Sequence, residues 1–236
     1  MNVLSIFAHP DDESFGPAGT LAMLSSKLHR TGLVTLTRGE AGSLGISKEL
    51  GPEELARRRS EELKCSAHFL GINYLSIHDL QDKKLSEIPA EVGLEIVKKE
   101  IEKFMPEMVI TFHPNGISGH KDHITVTNWI NQILREMETP PRLLYYGLVP
   151  EQTRLYPHRK LHPMAPSEVT HKIDTAHFFD QKIKAIECHK TQEELWKSLQ
   201  SSPKNFEDIS RWEYFSQAIP KPASKEIKFQ FDENIP

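Results

Sequence analysis

The chain has 236 residues, 38% of them hydrophobic and 26% charged, with a formal net charge of −4. That balance suits an ordinary soluble globular protein with one substantial core or two small ones, and it lacks the basic footprint of a binder of nucleic acid or anionic membrane. No apolar stretch approaches a membrane span, the apolar opening is too short for a signal peptide, and Cys65 and Cys188 read as buried free thiols of a reducing compartment, so a cytoplasmic home is expected.

The first run, Val3-Leu4-Ser5-Ile6-Phe7, predicts a strand over 2–8 and leads directly into Ala8-His9-Pro10-Asp11-Asp12-Glu13. A charged cluster at the exit of a short apolar strand is where open α/β sheets place their ligand chemistry. A helix follows over 16–30 and a strand over 32–37. Pro52-Glu53-Glu54 opens a helix over 53–70 that Gly71 closes. A strand at 72–77 precedes a helix over 89–104, opened by Pro89 and punctuated by Pro106. Met108-Val109-Ile110-Thr111-Phe112 gives a strand over 107–112, which runs into His113-Pro114-Asn115-Gly116-Ile117-Ser118-Gly119-His120-Lys121-Asp122-His123. A helix over 122–137 and a strand over 142–148 complete the alternation. Strands alternating with helices imply parallel pairing with helical crossovers, here an α/β fold of the Rossmann-like three-layer sandwich type with a mostly parallel sheet.

Beyond residue 150 the texture changes. Pro150, Pro157, Pro163 and Pro166 predict an irregular loop over 150–168, a lid or pocket wall. Helices at 176–190 and 192–200 and a short strand at 226–231 are expected to finish the same domain. The reading is a single domain over 1–236, with a Rossmann-like core to 150 and a pocket-wall loop and C-terminal helices over 151–236.

The two loops carry the chemistry. A catalytic zinc takes three protein ligands from His, Asp, Glu or Cys and keeps a position for water. His9 and Asp12 lie three residues apart in a tight loop, and His123 can supply a third ligand if the loops lie side by side, as adjacent parallel strands would arrange. Asp11 is then left as the candidate general base, with Glu13 as the next suspect. His120 and Asp122 form a second expected pair: a histidine held by a carboxylate stays cationic longer and can stabilise an oxyanion or protonate a leaving amine. The competing reading of Asp122 is a cap for the helix that follows.

At these residues the chain resembles the PIG-L/LmbE-like family of zinc-dependent N-deacetylases, which includes N-acetylglucosaminyl-phosphatidylinositol deacetylases and the deacetylases and amidases of mycothiol and bacillithiol metabolism. The signatures are the apolar strand followed by Ala8 to Glu13, and Gly119 to His123 after a loop containing His and Gly. Thr37-Arg38-Gly39-Glu40-Ala41-Gly42, Arg59-Ser60-Glu61-Glu62-Leu63 and His189-Lys190-Thr191-Gln192 add weaker echoes. The resemblance implies zinc (with ferrous iron as the alternative) on His9, Asp12 and His123, Asp11 as base, and His120 as oxyanion stabiliser or acid oriented by Asp122. It also implies that Arg59 and Asp82 contact the sugar or inositol part of the substrate, against structural readings in which Arg59 pairs with Glu62 and Asp82 makes a turn. Two positions depart from the mycothiol branch: Ser118 stands where that branch has a tyrosine, and Lys121 where a proline is common.

The expected activity is metal-dependent removal of an N-acetyl group from an amino-sugar conjugate, a small-molecule substrate; a homo-oligomer is left open. The alternative enzyme is an amidase acting on a thiol conjugate. A non-catalytic sugar- or nucleotide-binding module is opposed by the absence of Gly-x-Gly-x-x-Gly after the first strand.

Overall fold

The computed structural model describes residues 1–43, 50–200, 203–221, 227–228 and 230–231. In chain order the elements are β1 (Asn2–Phe7), α1 (Asp12–Phe15), α2 (Ala18–Ser26), β2 (Arg30–Thr37), α3 (Pro52–Phe69), β3 (Tyr74–Leu80), α4 (Ala90–Phe104) and β4 (Met108–Phe112). They continue with α5 (Gly116–Gly119), α6 (Lys121–Glu136), β5 (Arg142–Gly147), β6 (His171–Asp174), α7 (Phe179–Cys188), α8 (Glu193–Gln200), α9 (Pro203–Ser210) and β7 (Trp212–Ile219).

The strands form one seven-stranded sheet in the order β3-β2-β1-β4-β5-β7-β6. The first five run parallel, and β7 lies antiparallel between β5 and β6. Alternate residues of β1 feed opposite faces: Leu4 and Ile6 pack with Val97, Ile101 and Phe104 of α4 and with Val126 and Ile130 of α6. Val3 and Phe7 pack on the other side with Leu24 of α2 and Leu63 of α3. Burial on both faces explains why β1, β2, β4 and β5 read as largely apolar runs, while the edge strand β3 is half-buried. The expected three-layer α/β sandwich is what forms. After β1 the chain builds outward through β2 and β3, then returns to β4 on β1's other side. The switch point therefore lies at the carboxyl ends of β1 and β4, where the two charged loops emerge.

Several expectations change. The helix at 16–30 is interrupted at Gly16-Pro17, because proline cannot donate the amide a continuing helix needs, and it ends at Ser26. Strands β6 and β7 and helix α9 form beyond those expected from the sequence: β6 has only four residues and α9 eight, and β7 mixes Glu213, Ser216 and Gln217 with its aromatics. Of the expected strand at 226–231, residues 226 and 229 lie outside the described residues, and among the others Lys228 makes only an isolated bridge to His171.

The free-thiol reading of the cysteines is corrected. Cys65 of α3 and Cys188 of α7 form a disulfide with a Cα–Cα distance of 5.8 Å, across 123 residues of sequence. Only the packing of α3 on α7 brings them together, so spacing in the sequence carried no sign of the bond, and the reducing-compartment reading loses its premise. Among the described residues no helix is long and apolar enough to cross a membrane.

The late strand β7 also supports the first helices. Buried Glu213 accepts hydrogen bonds from the amides of Gly19 and Thr20 at 2.9 and 2.8 Å, filling the N-terminus of α2. The same carboxylate pairs with Lys182 of α7 at 2.8 Å.

Candidate active site

The loop after β1 is folded around Asp12. Its Oδ2 accepts from the amides of Ala8 and His9 at 3.2 and 2.8 Å, which curls the loop back on itself. Asp11 takes a left-handed backbone conformation (φ 101°), one that aspartate tolerates better than most residues and that marks stored local strain. In the loop after β4, Gly116 and Gly119 also have positive φ, as does the β-branched Ile117 (φ 63°). A β-branched residue there is an outlier.

Three donor groups converge where these loops meet. His9 Nδ1 lies 3.5 Å from Asp12 Oδ2 and 3.2 Å from His123 Nε2, and His123 Nε2 lies 3.2 Å from Asp12 Oδ1. The outward nitrogens are occupied: His9 Nε2 faces Asp82 Oδ1 at 3.1 Å and Asp122 Oδ2 at 3.2 Å, and His123 Nδ1 faces the Gly116 carbonyl at 3.1 Å. In the neutral rings, acceptors on the outside place the hydrogens outward and leave both lone pairs facing Asp12. Ligands about 2.0–2.2 Å from a tetrahedral ion stand roughly 3.3–3.5 Å from one another, so this donor set fits a divalent cation. Burial alone would lower the His9 pKa, but Asp12, Asp122 and Asp82 hold it well above its ordinary value. Asp12 is held well below the usual carboxylate range by His123 and His9 against the effect of burial.

Asp122 corrects one expectation. Its carboxylate does not serve His120; Oδ2 accepts from the Lys83 amide at 2.7 Å, and Oδ1 from the Leu85 amide at 3.1 Å, alongside the contact with His9. Nor does Asp122 cap α6. The cap is His120, whose Nδ1 accepts from the Asp122 amide at 3.2 Å. An accepting Nδ1 puts the hydrogen of the neutral ring on Nε2. Burial, His9 and His123 lower the His120 pKa, so the ring favours the neutral form, with one N–H to donate. It stacks on His123 with a centroid distance of 4.8 Å. His9, His120 and His123 offer nitrogens that all lie within 4.8 Å of one another.

Arg59 and Asp82 also differ from expectation. Both are buried, Arg59 at 3% exposure and Asp82 at 4%, so neither presents a surface for a sugar. Arg59 Nη2 holds Asp11 Oδ2 at 2.9 Å and also the Pro10 carbonyl, while Nη1 holds the Gly39 carbonyl at 3.0 Å. Gly39 and Gly42 press on its guanidinium, which a Cβ at either position would displace. This explains the Gly-x-x-Gly spacing after β2. Burial raises the Asp11 carboxyl to about 6 even with Arg59 beside it. Asp82 laces the loops after β2 and β3 together: its Oδ2 accepts from the Ala41 amide at 3.1 Å, and its own amide donates to Glu40 Oε1 at 2.6 Å.

Sequence reasoning missed the role of Glu13. It is fully buried and accepts from His189 Nε2 at 2.7 Å and from the hydroxyls of Ser14 and Ser66, each at 2.6 Å. Its other oxygen takes the Asp11 amide at 3.0 Å. Burial would raise this carboxyl, but His189 and the serines hold it low. Glu13 thus fixes the Asp11 backbone and is itself held by His189, Ser14 and Ser66. The signal for it was its place in the first motif and the late His189 segment, which no spacing rule connects.

A family profile described as GlcNAc-PI de-N-acetylase matches residues 4–134. A probable N-acetyl-alpha-D-glucosaminyl L-malate deacetylase 2 of Bacillus anthracis is 29% identical over 193 residues, 81% of each chain. A 1D-myo-inositol 2-acetamido-2-deoxy-alpha-D-glucopyranoside deacetylase of Corynebacterium diphtheriae is 28% identical over 225 residues, 82% of this chain and 76% of that one. Among solved structures, the N,N'-diacetylchitobiose deacetylase of Pyrococcus horikoshii superposes with a TM-score of 0.70 at 22% identity, covering 94% of this chain and 87% of the other. The 4-carboxy-2-hydroxymuconate hydratase of Pseudomonas putida superposes with a TM-score of 0.71 at 19% identity, covering 95% and 99%. At such identities a likeness speaks for the fold alone, and that fold carries a hydratase as well as deacetylases. The profile spans more than half the chain and both metal-competent loops: the chain belongs to the PIG-L family.

Proposed function

We propose that the protein is a metal-dependent hydrolase that removes the N-acetyl group from an amino-sugar conjugate. The carrying observation is the convergence of His9 Nδ1, Asp12 and His123 Nε2 at 3.2–3.5 Å, with the Asp11 carboxylate held beside them by Arg59. The named substrates of the Bacillus and Corynebacterium relatives share an acetylated amino sugar, which supports the substrate class.

His9, Asp12 and His123 would hold the ion, zinc or ferrous iron. When bound, it supplies Lewis acidity and lowers the pKa of water toward neutrality. The remaining steps belong to the chain. Arg59 holds Asp11 Oδ2, which leaves Oδ1 to take the proton of the attacking water. His120 Nε2–H donates to the carbonyl oxygen as it gains charge. The C–N bond breaks as the proton carried by Asp11 is returned to the leaving nitrogen, giving acetate and a free amine. Asp82 and Asp122 keep His9 in the tautomer that turns Nδ1 inward, and Glu13 keeps the Asp11 backbone in place.

The test is amine release from a panel of N-acetylglucosamine conjugates by protein loaded with zinc or iron. Stoichiometric acetate and free amine are expected. A fully loaded protein that releases amine from none of them would overturn the reading.

A further inference from the structure

A cavity of about 150 Å³ opens beside Asp11, Asp12 and His123. Its wall is formed by Phe15, Phe112, Tyr146, Leu148, Leu161 and Leu195. Phe112, Tyr146 and Leu148 come from the ends of β4 and β5 and are less than a tenth exposed, so this wall belongs to the sheet core. The strained Ile117 adds its side chain to the same lining.

An amide placed at the donor cluster has two flanks, an amine side and an acyl side, and only one can enter this cavity. A sugar ring brings several hydroxyls, and each one buried without a partner would cost roughly tenfold or more in affinity. Away from the donor cluster the polar groups of its lining are those of Ser118, Arg159 and Gln192 and the hydroxyls of Tyr146 and Tyr156, set among the phenylalanine, leucine and Ile117 side chains of the wall. An acyl chain makes no such demand. A cavity of about 150 Å³ lined by Leu, Ile and Phe is known to hold a benzene-sized guest of about six carbons, far more than the single methyl of an acetyl group.

We infer that this cavity is the acyl-group site, and that the enzyme prefers N-acyl groups with an apolar body of about four to six carbons over acetyl. The inference rests on the amide-hydrolase reading above and extends its acyl range. Past Tyr156 and Leu195 the space opens into an outer cleft lined by Arg154, His158 and Arg159. That cleft is wider, about 740 Å³, and sets Leu155, Leu199 and Ile209 among Arg154, His158 and Arg159, so a chain that reaches it leaves the confined cavity and the gain per carbon falls off.

Two measurements on the metal-loaded protein test this. The first is calorimetric binding of the straight-chain carboxylates from acetate to decanoate. Affinity is expected to rise by about fourfold per methylene, the value of one buried CH₂, and to level off near hexanoate. Affinity that is independent of length, or greatest for acetate, overturns the site. The second is amine release from N-acetyl-, N-butyryl- and N-hexanoyl-glucosamine. The hexanoyl-to-acetyl ratio of kcat/KM is expected to exceed one and to fall at least tenfold in Leu161→Trp. A preference for acetyl in the wild-type protein overturns the inference, and does so whether or not that variant folds. Length-dependent binding without amine release from any substrate would sink the hydrolase reading and leave the apolar site standing.

Discussion

Asp11 and Asp12 are neighbours in sequence and opposites in environment. Asp12 turns both oxygens to the loop amides and the two histidines, whereas Asp11 is pinned through one oxygen by Arg59. Asp11→Asn keeps the shape and the Arg59 contact but has no basic oxygen. It should retain its metal by elemental analysis and lose roughly two orders of magnitude or more in turnover; full activity would place the base elsewhere. His123→Ala removes one of three donors, so the metal should be lost on dialysis, and retention at wild-type stoichiometry would remove His123 from the donor set. Asp122→Asn should weaken metal affinity by about 10–100-fold, the usual effect of removing an outer partner of a ligating histidine. Unchanged affinity would make the contact with His9 incidental. The metal-competent residues were legible because each motif is nearly contiguous. The partners of Arg59, Asp82 and Asp122 were not: Asp122 reaches Lys83 across 39 residues and His9 across 113, and no local pattern reports such distances.

At the scale of elements, the edge strand β3 is tied to α4 by one carboxylate. Glu100 accepts from Tyr74 Oη at 2.7 Å, Ser76 Oγ at 2.7 Å and His78 Nε2 at 2.8 Å, three alternate residues on one face of the strand. Burial alone would raise this carboxyl; the three donors hold it at about 2. A carboxyl depressed in the folded state contributes stability that is present above its unfolded pKa of about 4.3 and lost as pH falls toward the folded value. Glu100→Gln should therefore lower the urea midpoint at pH 7, by the equivalent of about 1–2 kcal/mol after discounting for solvent screening. The gap from wild type should close between about pH 4.3 and pH 2. A gap of constant size across that window would assign the loss to packing instead of charge. Strands β1, β2, β4 and β5 were readable because strands buried on both faces are written as largely apolar runs, whereas the half-buried edge strand β3 was readable only in part, through Tyr74, Leu75 and Ile77. Strand β7 mixes Glu213, Ser216 and Gln217 with its aromatics, since Glu213 serves α2 and α7, so its sequence carries two messages at once.

At the scale of the molecule, the Cys65–Cys188 bond ties the helix that holds Arg59 to the helix that leads into His189. A bridge over so long a loop stabilises mainly by restricting the unfolded chain, typically by about 2–4 kcal/mol. For a protein of this size, reduction or Cys188→Ser should lower Tm by about 5–15 °C. An identical Tm with and without reductant would mean that the bridge constrains nothing in solution. The same long reach sets a timetable for the ribosome. Glu13 waits 176 residues for His189, and Gly19 waits 194 for Glu213. At roughly 5–20 residues per second that is about 10–40 s during which the nascent loop after β1 lacks His189 and helix α2 lacks Glu213. The loop that carries Asp11 is thus synthesised first and gains its Glu13–His189 support only once α7 is complete, long after His9, Asp12 and His123 are all in the chain.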